Sequence, residues 1–270
     1  MAKRYVRVQN LDGRVYYGLL DVSRSVQVLD APPWLQGQPT ELILEAEQYR
    51  LLAPCAPSKI VAVGKNYRAH AAEMGTPVPE EPLIFLKPPT TLIAHNDPIL
   101  YPTQAQKVDY EGELALVIGD RCRDCTPEAA LAKIWGYTIA NDVTARDFQR
   151  ARGPWAQAKG FDSFCPLGPW LVREINAAAR LQTFLNEAEH PLQNQTIDQM
   201  VFAPEILVAF ISSIMTLLPG DVILTGTPEG VGPISVSDTV HIEIEGIGRL
   251  SNPVITRPVD SVKPAAIRMT

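Results

Sequence analysis

The chain has 270 residues and a formal net charge of −6, from 24 Lys and Arg against 30 Asp and Glu. That length buries a sizeable core and suits one large domain with a small appendage. The acidic balance leaves no basic surplus for a phosphate backbone or an anionic bilayer, so neither nucleic acid nor membrane is expected as a partner. Hydrophobic residues at 46% and charged residues at 20% exclude wholesale disorder.

The first residues, Met1 to Arg7, start basic but lead into polar–apolar alternation instead of a continuous apolar stretch, so an unprocessed N-terminus is expected. Residues 3–30 alternate in the β manner around Asp12-Gly13, a hairpin signal. A short helix is expected over residues 40–48. Ala53-Pro54-Cys55-Ala56-Pro57-Ser58 reads as a linker, which places a small β-rich module over residues 1–54 and the main domain over 55–270.

In the main domain, strands are expected at 59–63, 83–86, 113–118, 136–141, 170–173, 222–225 and 239–244, and helices at 67–74, 127–133 and 203–218. The strands do not alternate regularly with helices, and 24 prolines fit many tight turns. This predicts an α+β fold dominated by mixed β structure, not a doubly wound sheet. The most apolar run, residues 206–218, is interrupted by Ser212, Ser213 and Thr216 and is too short to span a bilayer. Four cysteines are too few to staple a chain of this size, which fits a reducing cytoplasm; Cys122 and Cys125 have the spacing of half a zinc site or of an ordinary turn.

Two acidic segments carry the chemistry. Asp109, Glu111 and Glu113 alternate along one stretch and would share one face of a strand, continuing into Ala115 and Val117. Carboxylates so placed either lie in water on a sheet edge or crowd around a hard divalent cation such as Mg²⁺. The second segment ends an apolar run at Asn141-Asp142, where a third ligand would be delivered. Upstream, His70 and Glu73 are three apart on a predicted helix and share a face. They are a solvated surface pair or a base, the carboxylate fixing the imidazole tautomer. No Gly-x-Ser-x-Gly motif occurs, so a bound water is the expected nucleophile.

Six segments, in order, resemble the fumarylacetoacetate hydrolase superfamily: Gly64-Lys-Asn-Tyr-Arg-Ala-His70-Ala-Ala-Glu73-Met; Phe85-Leu-Lys-Pro88; Tyr110-Glu-Gly-Glu113-Leu-Ala-Leu-Val; Asn141-Asp-Val-Thr-Ala-Arg-Asp-Phe-Gln149; Lys159-Gly-Phe-Asp; and Leu224-Thr-Gly-Thr-Pro-Glu-Gly-Val-Gly232. The resemblance runs over about residues 59–255 and is closest to the compact branch acting on acylpyruvates and oxaloacetate. It implies the mixed β-sandwich or roll of that family's C-terminal domain over residues 55–270. It further implies Glu111, Glu113 and Asp142 as ligands of Mg²⁺ or Mn²⁺, and His70 with Glu73 as a water-activating dyad. Lys159 would stand beside the 2-oxo acid end of the substrate. Arg146, Gln149 and Thr227 match positions that orient the metal shell or contact substrate; Arg146 serves equally well as a structural ion pair, and Lys87 is open between the two roles. The glycines of the Thr225–Gly232 loop would let backbone approach substrate.

The resemblance thus implies a metal-dependent enzyme, a homodimer, that hydrolyses acylpyruvates or decarboxylates oxaloacetate through a metal-stabilised enolate. Within the enzyme class the rivals are an oxaloacetate keto–enol tautomerase and a decarboxylase/isomerase of aromatic catabolism. From another class, the chain would be a non-catalytic divalent-cation-binding member of the fold. Residues 73–82, with Gly75 as hinge, read as a lid over which the dyad assembles on closure.

Overall fold

The computed structural model describes residues 2–150 and 155–258. Strands dominate, in a mixed sheet of twelve, a sheet of five and one of three. The large sheet runs, edge to edge, through Pro39–Leu44, Val26–Leu29, Val15–Leu20, Arg4–Asn10, Cys165–Val172, Ile134–Asn141, Gly112–Ile118, Val222–Leu224, Ile60–Gly64 and Leu83–Lys87. The N-terminal hairpin forms as its pattern predicts, with Val6 opposite Gly18 and Gly13 at φ +83° in the turn. Its first strand pairs with the Cys165–Val172 strand at Tyr5–Leu171, which splices the N-terminal strands onto the sheet of the main domain.

Every residue of Gly112–Ile118 is buried. Leu114, Leu116 and Ile118 face the five-stranded sheet and meet Leu181, Ile242, Ile244 and Leu250 in the main core. Ala115 and Val117 face the other way, with Ala140, Leu167, Val222 and Leu224, under the linker residues Ala53 and Cys55. A strand covered on both faces must be apolar on both, and this one is so until it reaches Glu113.

Three expected elements differ. Residues 40–48 are not a helix: Pro39–Leu44 is a strand paired with Val26–Leu29, followed by a 3₁₀ turn at Ala46–Gln48, because pairing to a neighbouring strand outweighs a weak helical pattern. The long helix is Pro204–Ile214 and stops short of residue 218, since Leu217 exchanges backbone hydrogen bonds with Cys122 at 3.0 and 2.9 Å and the chain there must be extended. Residues 108–118 are not one strand. Val108–Tyr110 belongs to the three-stranded sheet, Gly112–Ile118 to the large one, and Glu111 sits at the break. Among the described residues no helix is long and apolar enough to cross a membrane. Cys55, Cys122, Cys125 and Cys165 are all free thiols.

Candidate metal centre and its dyad

The register of two strands builds the acid cluster. Gly112 pairs with Asn141 in the antiparallel ladder, so Glu111 and Asp142, the next residues outward, lie side by side where the ladder ends. The Asp142 N–H donates to the Glu111 carbonyl at 2.9 Å, and the Asn141 side-chain oxygen accepts from the Glu111 N–H at 2.9 Å. Glu113, one pleat further in, turns to the same side. One carboxylate oxygen from each of Glu111, Glu113 and Asp142 lies within 4.8 Å of the others, and all three residues are buried.

Three cations answer this charge unequally. The Lys159 ammonium donates to Glu111 Oε2 at 2.7 Å and to Asp142 Oδ2 at 2.6 Å. Lys87, fully buried, donates to Asp142 Oδ1. Arg146 places one guanidinium nitrogen 2.7 Å from Glu111 Oε1, its Nε 2.7 Å from Asp109 Oδ2, and donates to Gln149 Oε1 at 2.8 Å. Among the described residues Glu113 has no ion-pair partner and accepts the Gly226 N–H at 2.7 Å.

The pKa shifts follow this asymmetry. Burial pushes Glu111 up, but Lys159 and Arg146 outweigh it and hold the group down at about 2. Burial, then the charges of Asp142 and Glu111, push Glu113 well above the ordinary carboxylate range. For Lys159 burial works against the charge, yet Asp142 and Glu111 raise the ammonium above its usual value. An all-oxygen, buried, three-carboxylate set, one member of which has no ion-pair partner among the described residues, is the donor chemistry of a hard divalent cation, and the residues present fit one.

His70 of the dyad lines the same cavity, of about 230 Å³, whose walls also include Glu111, Glu113, Asp142 and Lys159. His70 and Glu73 lie on the short helix Arg68–Glu73, with Nδ1 and Oε2 3.0 Å apart. The other Glu73 oxygen accepts from the Gly230 N–H at 3.0 Å. The imidazole is buried and the carboxylate about a third exposed. One helix and one loop glycine therefore suffice to form the pair. The pair is formed in this structure, with Glu73, the first residue of the expected lid, at the end of that helix.

With this geometry in hand, the sequence model for the fumarylacetoacetate (FAA) hydrolase C-terminal domain matches residues 59–255, and a model for the Rv2993c-like N-terminal domain matches residues 3–54. The chain belongs to the fumarylacetoacetate hydrolase family. Oxaloacetate tautomerase fahd2, mitochondrial, of Xenopus laevis is 42% identical over 225 residues, covering 79% of this chain and 70% of that protein. The crystal structure of a 2-hydroxyhepta-2,4-diene-1,7-dioate isomerase from Mycobacterium marinum superposes with a TM-score of 0.86 at 42% identity, over 94% of this chain and 98% of that one. A fumarylpyruvate hydrolase from Pseudomonas aeruginosa, solved with Mn²⁺ and pyruvate, gives a TM-score of 0.70 at 32% identity over 77% and 92% of the two chains. The strand-dominated α+β architecture is that of the family.

Eight of the ten residues singled out in the sequence line this cavity, and the other two, Glu73 and Lys87, bond to its wall residues His70 and Asp142, but not all take the form expected. The Thr227 hydroxyl is already committed, donating to the Gly112 carbonyl at 2.9 Å and accepting from Gln193 Nε2 at 2.7 Å. The loop glycines approach the protein's own carboxylates: Gly226 holds Glu113 and Gly230 holds Glu73. Asp109 stands outside the triad and anchors Arg146 instead, which realises the ion-pair alternative for that arginine.

Two family-site supports were not legible in the sequence. Gln193, fully buried, accepts from the Gly112 N–H at 2.9 Å and the Thr183 hydroxyl at 2.8 Å, and donates to Thr227 Oγ1 and to the Pro228 carbonyl at 2.9 Å. It clamps the peptide between the two glutamates to the 225–230 loop, and it comes from another sheet, so nothing local signals it. Asn66 is likewise fully buried, its amide donating to the carbonyls of Phe202 at 2.9 Å and Thr225 at 2.8 Å. Its place in the Gly64-Lys-Asn-Tyr motif was the available clue.

Proposed function

We propose that this protein is an enzyme dependent on Mg²⁺ or Mn²⁺ that hydrolyses the C–C bond of acylpyruvates or decarboxylates oxaloacetate, in either case through the enolate of a 2-oxo acid. The observation that carries the proposal is the convergence of Glu111, Glu113, Asp142, Lys159 and His70, the last bonded to Glu73, on one small cavity. A divalent cation bound to the three carboxylates would supply Lewis acidity toward the substrate's carboxylate and 2-oxo oxygens.

The chain's own residues do the rest. Glu73 accepts from Nδ1–H of His70, so Nε2 is the free base. It takes a proton from water as the oxygen adds to the distal carbonyl of an acylpyruvate. The C–C bond then breaks, its electron pair passes to the pyruvate half as an enolate, and the proton held on His70 returns to that carbon. Lys159, fixed between Glu111 and Asp142, keeps a positive charge beside the developing enolate. Its ammonium also lies 5.2 Å from the Phe85 ring centroid, so an aromatic wall excludes water on that side. Arg146 and Lys87 hold Glu111 and Asp142 in place. For oxaloacetate the same electron sink accepts the pair released with CO₂.

A second reading, an oxaloacetate keto–enol tautomerase, is supported by the 42% identity to the Xenopus laevis enzyme. There the dyad would move one proton between substrate carbon and oxygen without adding water. Purified protein with Mg²⁺ or Mn²⁺ is assayed side by side on acetylpyruvate, oxaloacetate and enol-oxaloacetate. Turnover of at least one, abolished by EDTA, is expected and speaks against a non-catalytic cation binder; silence on all three overturns the proposal. The homodimer implied by the resemblance belongs to the same proposal and is checked by sedimentation equilibrium.

A further inference from the structure

A second cavity, of about 690 Å³ against about 230 Å³ for the catalytic one, lies on the seam between the N-terminal strands and the main domain. Arg4, Arg24 and Arg50 line it from residues 3–54, and His95, Trp170 and Arg249 from residues 59–255. Its size is that of a small-molecule site, and the chemistry above makes no use of it. Four arginines in one cleft stand out in a chain of net charge −6. Two acids, Asp21 and Asp97, also line it, and a third, Glu243, lies 3.4 Å from Arg249, so the balance is 4 − 3 = +1.

The surplus has a definite place. Arg50 lies 4.0 Å from Asp97 and Arg249 faces Glu243, whereas Arg4 and Arg24 have no ion-pair partner among the described residues. Asp21 is spent on its own turn, its Oδ1 accepting from the N–H groups of Ser23 at 2.8 Å and Ser25 at 3.1 Å. Both arginines are pre-set. The Arg4 guanidinium lies 4.7 Å from the Trp170 ring, whose Nε1 is fixed on the Ile247 carbonyl at 2.6 Å, and a stacked guanidinium keeps its edge N–H groups for an acceptor. Arg24 has φ +65°, the left-handed region that glycine and asparagine enter far more readily than arginine, and the Tyr49 hydroxyl donates to its carbonyl at 2.8 Å. His95 adds a neutral donor: its Nδ1 accepts from the Ser251 N–H at 3.1 Å, so the neutral ring carries its proton on Nε2. Leu20, Leu51 and Tyr49 complete the walls with apolar surface.

We propose that this cleft binds a small organic oxyanion, one phosphate or carboxylate group on a compact apolar body, with Arg4 and Arg24 holding the charged group. Planar guanidinium forks match the oxygens of either group, and a surplus of one positive charge suits a single such group. Calorimetric titration of the full chain with phenyl phosphate, benzoate and benzyl alcohol, which share a ring and differ in its substituent, tests the assignment. At least one of the two anions should bind tighter than the alcohol by about tenfold or more, the size of one charge-assisted hydrogen bond, and the tighter one identifies the source as phosphate or carboxylate. Arg24→Gly, which relieves the backbone, should keep Tm at or above that of wild type and weaken this anion about tenfold or more; Arg4→Met should weaken it likewise. His70→Ala, in the catalytic cavity, should leave its affinity unchanged. Equal binding of all three probes, or of none, overturns the assignment. So does anion affinity that survives in either arginine variant or falls equally in His70→Ala.

Discussion

The three carboxylates of the candidate metal centre look equivalent in sequence, yet in metal-free protein removing Asp142 and removing Glu113 should act in opposite directions. Asp142 is the ion-pair partner of Lys87, whose side chain is fully buried, and shares Lys159 with Glu111. Asp142→Asn strands one buried ammonium and half-strands another, and breaking a buried pair costs about 3–5 kcal/mol. For a chain of this size that is a fall in Tm of about 10 °C. Glu113 has no ion-pair partner among the described residues, and its folded pKa is raised above 4.5 by burial, Asp142 and Glu111. A raised folded pKa means a contribution fully present below about 4.5 and lost as pH climbs toward the folded value. Glu113→Gln removes that loss, and the gap between variant and wild type should widen by up to about 1.4 kcal/mol per pH unit across the window. The assay is urea denaturation of EDTA-treated protein at a series of pH values, alongside Mn²⁺ titration. Both variants should lose Mn²⁺ affinity, but Asp142→Asn should be destabilised and Glu113→Gln stabilised at neutral pH. A Glu113→Gln curve running parallel to wild type, or falling as far as Asp142→Asn, refutes the charge assignment.

Four further outcomes follow from the same geometry. Adding Mn²⁺ at 100 times its Kd should stabilise the protein by about 2.7 kcal/mol. Because Glu113 must ionise to bind, calorimetry in buffers of different ionisation enthalpy should show proton release on the acid side of its raised pKa. His70→Ala should cost turnover about 10²–10⁴-fold with Mn²⁺ affinity intact, whereas His241→Ala, on a strand of the five-stranded sheet, should leave turnover unchanged. In Gly112→Ala the new Cβ would lie 2.4 Å from Thr183 Oγ1 and 3.1 Å from Gln193 Oε1, so a loss of about 1–3 kcal/mol is expected, with weaker Mn²⁺ binding, read by denaturation and by titration.

By itself the sequence determined what depends on neighbours along the chain. The Asp12-Gly13 hairpin, the helix that sets His70 and Glu73 on one face, and the strand that faces Ala115 and Val117 away from Leu114 and Leu116 all follow from spacing and turn chemistry. The six ordered motifs carried the family and every candidate ligand. Tertiary structure decided what depends on residues far apart. The strand register put Asp142 beside Glu111; the break at Glu111 sent Asp109 to Arg146; and Lys87 and Lys159, on a strand and a short helix, were brought onto the acids while Glu113 was left with one backbone N–H. Local pattern fixes which face a side chain takes. Only the packing of separate elements fixes which charge it meets, and in a buried site that meeting determines whether a carboxylate is held by a lysine or left for a metal ion.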